Sequence, residues 1–82
     1  MSNDRFHLAI ISPEKIVFEG EATLLTLPGK SGSFTILAHH APIVASLKAG
    51  ALVYKTDEAE HTLEVKSGFI EMSHNDVSVC IA

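Results

Sequence analysis

Apolar and polar residues alternate along most of this chain with a period of two. Phe6, Leu8 and Ile10 are separated by His7 and Ala9, and Val77, Val79 and Ile81 by Ser78 and Cys80. Leu63 and Val65 sit between Thr62, Glu64 and Lys66. Successive side chains of a strand point to opposite faces, so each run reads as a strand with one buried face. Residues 16–21, 22–27, 33–37, 51–56 and 68–73 are rich in Val, Ile, Phe, Thr and Leu and read as further strands. Turn formers punctuate these runs: Ser12-Pro13-Glu14, Pro28-Gly29, Ser31-Gly32, Gly50, Thr56-Asp57-Glu58, Ser67-Gly68 and His74-Asn75-Asp76. The last predicts a hairpin, because Asn and Asp tolerate positive φ. Gly20, between Glu19 and Glu21, predicts a bend or bulge. Residues 41–47 fit two readings. One is a helix with Pro42 in its first turn and Gly50 past its end; the other is an extended segment. Many short strands with frequent turns predict an antiparallel sandwich or barrel.

Composition narrows the function. The 82 residues make one domain, 1–82. Hydrophobic residues are 46% and charged residues 20%, below the roughly 25% of ordinary soluble domains. A domain this small cannot bury all its apolar side chains, so exposed apolar patches, and hence a partner, are expected. A net charge of −4 without a basic run argues against nucleic acid. Cys80 is the single cysteine, so no internal disulfide forms. No apolar run approaches the roughly 20 residues that span a bilayer. Met1, Ser2, Asn3, Asp4 and Arg5 lack the apolar core of a signal peptide. A cytoplasmic protein is expected.

Candidate chemistry is sparse. Among His7, His39, His40, His61 and His74, only His39 and His40 are adjacent. Neighbours on a strand point to opposite faces, and no Cys or His stands near them at zinc spacing. Gly29-Lys30-Ser31 resembles the end of a phosphate loop, but Leu24 occupies the place of its first glycine, and a strand follows rather than a helix. No G-x-S-x-G elbow accompanies the serines and histidines. Enzymatic activity is therefore not expected. Small all-β lipoyl or biotinyl carriers present a lysine at a hairpin tip. Lys66 and Lys55 are the candidates here, and neither has the Met or Asp neighbours such carriers carry.

The stretch "LPGKSGSFTILAHHAPIVASLKAG", residues 27–50, resembles the epsilon subunit of bacterial F-type ATP synthases. The shared residues are Leu27, Pro28, Gly29, Gly32, Phe34, Ile36, Leu37, His40, Ala41, Pro42, Leu47, Lys48 and Gly50. "SPEKIVFEGEA", residues 12–22, is similar to that family's opening hairpin, and "VKSGFIEMSHNDVSVCIA", residues 65–82, to its closing hairpin and last strand. Five positions depart from the family pattern. Thr35, His39 and Ser67 stand for glycines, and Ala38 and Ala49 for prolines.

The resemblance implies an antiparallel β-sandwich of about ten short strands in two sheets. It implies a non-catalytic subunit of the rotor's central stalk that fixes the gamma subunit to the membrane c ring. The position would be peripheral, on the cytoplasmic face of the bacterial inner membrane, without insertion into it. By the same resemblance, Ser12, His40 and Ala45 would face gamma, and Lys30, Ser31, Gly32 and Ser33 the c ring. No cofactor is implied. Many members continue into two C-terminal helices; the chain here stops at Ala82, so no inhibitory arm and no nucleotide site are expected. The competing expectation is a free-standing β-sandwich adaptor, or the carrier domain above.

Overall fold

The computed structural model describes residues 4–82, so the reading of Met1, Ser2 and Asn3 lies outside them. The described residues form nine strands: β1 (Phe6–Ile11), β2 (Ile16–Ala22), β3 (Leu24–Gly29), β4 (Gly32–Ile36), β5 (Ile43–Leu47), β6 (Gly50–Lys55), β7 (Glu60–Val65), β8 (Gly68–Ser73) and β9 (Asp76–Ile81). Five of them pair in the order β2-β1-β9-β8-β5, and four in the order β4-β3-β6-β7. The two layers meet in hydrogen bonds at one corner, where Gly29 pairs with Leu47. There the Lys30 amide donates to the Ser46 carbonyl (3.0 Å) and the Lys48 amide to the Pro28 carbonyl (2.8 Å). The chain then passes from one layer to the other through residues 48 and 49.

The alternation does what the sequence requires. Phe6, Leu8, Ile10, Leu25, Leu27, Ile36, Leu47, Leu52, Ile70, Met72, Val77 and Val79 lie almost wholly inside one cluster to which all nine strands contribute. No polar or charged residue among the described ones is buried. Tyr54 closes the cluster beside Phe18, with ring centroids 4.7 Å apart, and burial pushes its phenol above the usual range.

The β-sandwich is the expected one, and several details differ from the sequence reading. β1 and β9 pair in parallel, so the sandwich is not antiparallel throughout. A parallel pair needs a long crossover, and here seven intervening strands provide it. Residues 41–47 take the extended alternative from Ile43 onward. β3 begins at Leu24 and runs through Pro28 and Gly29, which the turn reading had separated from it. Pro28 is tolerated because Leu27 and Gly29 carry the bonds to β4, while its own peptide faces the corner where no donor is needed. The bulge in β2 falls at Val17, where Ile10 pairs with Phe18 and Ile11 with Ile16, and not at Gly20. Gly20 instead leaves room for the Phe18 ring: a Cβ there would stand 3.1 Å from it.

Candidate interaction surface

Two features stand out, and both arise from where strands end. The first is a cleft of about 390 Å³ between the β3–β4 hairpin and β5, lined by Gly29, Lys30, Ser31, Gly32, Phe34 and residues 43–46. Lys30 and Ser31 make a two-residue turn closed by Gly29 and Gly32. Gly29 is required there: a Cβ would lie 2.7 Å from the Gly32 carbonyl and 2.7 Å from the Phe34 ring. Thr35 bonds its hydroxyl to that of Thr26 across the hairpin (2.9 Å).

The second feature is an apolar row on the outer face of the five-stranded layer. Register places Ser46, Phe69, Cys80, Ile11 and Ile16 side by side across β5, β8, β9, β1 and β2. Ile16 is 59% exposed, Phe69 49% and Ile11 37%. Val44, 75% exposed, stands on the same face. The other half of that face is polar. His7 lies there with Nδ1 3.1 Å from Asp76 Oδ1 and Nε2 3.5 Å from Glu19 Oε2.

The residues singled out from sequence do not form one patch. Lys30, Ser31, Gly32 and Ser33 are all exposed, as a contact loop needs. Lys30, Ser31 and Gly32 share the cleft with Ala45, so the loop expected to face the ring and one residue expected to face gamma are neighbours. Ala45 is half-buried and pairs with the buried Ile70, so its side chain belongs to the inner face. Ser12 caps its own turn. Its Oγ donates to the Lys15 carbonyl (3.1 Å) and accepts from the Lys15 amide (3.3 Å).

His40 lies at the other end of the five-stranded layer, about 13 Å or more from Ser12 by strand rise. It sits in a turn, not on a strand, with its amide on the Leu37 carbonyl (3.2 Å) and Nδ1 donating to the Ala41 carbonyl (2.7 Å). His39, at φ 65°, holds the third position of that turn, and its amide donates to the Asn75 side chain (2.7 Å). A second hollow, of about 510 Å³, opens beside it and is lined by Asp4, Thr23, Leu37, Ala38 and His39.

Sequence reasoning missed Val44, Phe69, Ile11 and Ile16. The available signal was the apolar doublets Ile10-Ile11, Ile43-Val44 and Phe69-Ile70, which break strict alternation and put one hydrophobe outside. Elsewhere, Arg5 reaches across to the β6–β7 turn, with Nε and Nη2 at 2.9 and 2.6 Å from one Asp57 oxygen. That bond and the neighbouring charge hold the guanidinium further above its usual value. Lys66 is exposed beside the β7–β8 turn, and Lys55 lies at the end of β6, 4.0 Å from Glu60. Among the described residues, no three His, Cys, Asp or Glu are placed to hold a metal.

Residues 5–82 match the family model described as ATP synthase, Delta/Epsilon chain, beta-sandwich domain. An ATP synthase epsilon chain of Leptospira interrogans is 42% identical over 96% of this chain and 62% of the relative. That of Chlorobium limicola is 39% identical over 90% of this chain and 85% of the relative. The chain thus spans less than two thirds of the Leptospira protein. Among solved structures, a chain of the Euglena gracilis mitochondrial ATP synthase, OSCP/F1/c-ring in rotational state 1, superposes with a TM-score of 0.89 at 15% identity, over 99% of this chain and 52% of that one. A chain of the Tetrahymena thermophila mitochondrial ATP synthase central stalk/c-ring gives 0.76 at 12% identity, over 92% and 61%. At those identities the likeness shows a common fold.

Proposed function

Because this chain belongs to the delta/epsilon β-sandwich family of ATP synthase, we propose that it is a non-catalytic subunit of the rotor's central stalk. In this reading it fixes the gamma subunit to the c ring and so couples ion-driven rotation to ATP synthesis, at the cytoplasmic face of the bacterial inner membrane. The observation that carries the reading is the family match over nearly the whole chain, joined to an apolar row exposed on one face. Such a row needs a cover. Covering about 400 Å² of apolar area is a gross gain on the order of 10 kcal/mol, part of which the cost of association removes.

Mechanical coupling asks for stiffness, because a soft joint stores torque as deformation. A single closely packed core shared by nine strands supplies low-compressibility material. The gamma shaft would lie along the β5 edge, past His40 and Ala45, and cross the apolar row toward Ser12. The exposed turn of Lys30, Ser31, Gly32 and Ser33 would meet the polar loops of the c ring. The test is retrieval from detergent-solubilised membranes with the tagged chain. Gamma and c subunits are expected together in the eluate; a folded bait that retrieves neither overturns the reading.

A further inference from the structure

The layers have four edge strands: β2, β5, β4 and β7. An edge strand is a row of unpaired peptide groups, and proteins usually guard it with charge, bulges or brevity. β2 carries Glu19 and Glu21 and the bulge at Val17. β7 carries Glu60, His61 and Glu64. β4 and β5 carry no charged residue, and they are the two edges that flank the cleft.

Peptide direction alternates along a strand. The Ser46 carbonyl faces Lys30, so Ser46 and Val44 direct their peptide groups away from β8 and toward the cleft. The β8–β9 hairpin gives the same parity independently. Its two-residue turn commits Ser73, Glu71 and Phe69 to β9, which leaves Ile70 and Met72 to bond Ala45 and Ile43. Among the described residues, β5 pairs on its cleft side only through Leu47 with Gly29. The Pro42 carbonyl, both peptide groups of Val44 and the Ser46 amide therefore form an open row, long enough for about three residues of another strand. Pro42 ends the row on one side and the bridge to β3 ends it on the other.

The cleft also says what such a strand would look like. Phe34, Ile43 and Ala45, each half-buried, form its apolar floor. Lys30 lines its closed end and Lys48 follows β5 beside it, both exposed and, among the described residues, without an ion pair. We infer that the cleft between β4 and β5 receives a short extended segment of the gamma subunit by strand addition. The segment bonds through its backbone to Val44, sets one apolar side chain against Phe34 and Ala45, and directs an acidic group toward Lys30 and Lys48. The inference rests on gamma being the partner and adds the mode of capture.

Hydrogen exchange followed residue by residue, on the chain alone and in complex with its cognate gamma subunit, decides the matter. The expected result is fast exchange at the Val44 and Ser46 amides in the free chain, slowed about 100-fold or more in the complex. The β7 edge, in the other layer and remote from the apolar row, keeps its free rates. Val44→Pro, which removes a donor that the fold does not use, is expected to weaken binding about 10-fold. Val44→Thr, which keeps the donor, stays within about 3-fold of wild type. If Val44→Pro fails to fold, the exchange measurement on the wild-type chain still decides. A complex in which the Val44 amide exchanges freely overturns strand addition and leaves the gamma assignment standing. So does an equal loss with Val44→Thr, which points to side-chain docking. Protection of Val44 that rises with chain concentration alone assigns the edge to a second copy and overturns the inference. A folded chain that forms no complex overturns both readings.

Discussion

At the scale of single residues, most of the distinctive positions serve backbone geometry. His39 is the clearest case. Only the third residue of the turn over residues 37–40 has positive φ, the sign pattern of a type II turn, whose third position favours glycine. A histidine there bears the left-handed penalty. His39→Gly is expected to raise stability by up to about 1 kcal/mol, the left-handed cost less the added entropy of the unfolded chain. A lower denaturation midpoint for this variant would refute that account of the turn. Ser67, also in a glycine's place, carries no such penalty, because the positive φ falls on Gly68. Gly68 cannot change: a Cβ there would lie 2.2 Å from the Cys80 carbonyl. Ala45 changes meaning as well. Facing inward, it is a poor site for a charge meant to probe the surface alone, because Ala45→Glu would perturb the floor of the cleft. Val44, its neighbour, is the surface probe.

At the scale of elements, the hairpins were legible in the sequence and the joins between them were not. His74 and Asn75, at φ 52° and 62°, form the two-residue turn that the sequence predicts between β8 and β9. Sequence gives no sign that Asn75 then ties three segments together. Its side-chain oxygen accepts the His39 amide (2.7 Å), its side-chain nitrogen donates to the Arg5 carbonyl (2.7 Å), and its own carbonyl accepts the His7 amide (3.1 Å). Asn75→Ala loses both side-chain bonds and adds left-handed strain, an expected cost of about 2–3 kcal/mol by chemical denaturation. Asn75→Gly, which relieves the strain, is expected to lose less; an equal loss would mean the tethers and not the turn carry the effect. The parallel pairing of β1 with β9 was illegible for a related reason: local alternation fixes which face of a strand is buried but not its neighbour. The choice at residues 41–47 was settled by pairing with β8, a tertiary term that local propensity does not contain.

At the scale of the whole molecule, 37 × 23 × 18 Å in extent, the asymmetry between its surfaces carries the functional reading. One layer turns an apolar row outward and leaves an uncharged edge open beside a cleft; the far edges are charged. Composition foretold an exposed apolar surface, and the family pattern supplied its expected partner. The residues that make the surface were hidden, because a hydrophobe in a strand reads the same whichever face it takes. Titration of the gamma subunit into wild-type chain, Phe69→Asp and a control on β7, Glu64→Lys, tests the central claim most directly. Phe69 and Glu64 are both exposed, so all three proteins are expected to melt alike. The account predicts that Phe69→Asp binds gamma at least about 10-fold more weakly, a loss of about 1.4 kcal/mol, while Glu64→Lys binds as wild type does. Undiminished binding by Phe69→Asp, with the loss falling on Glu64→Lys, would contradict it.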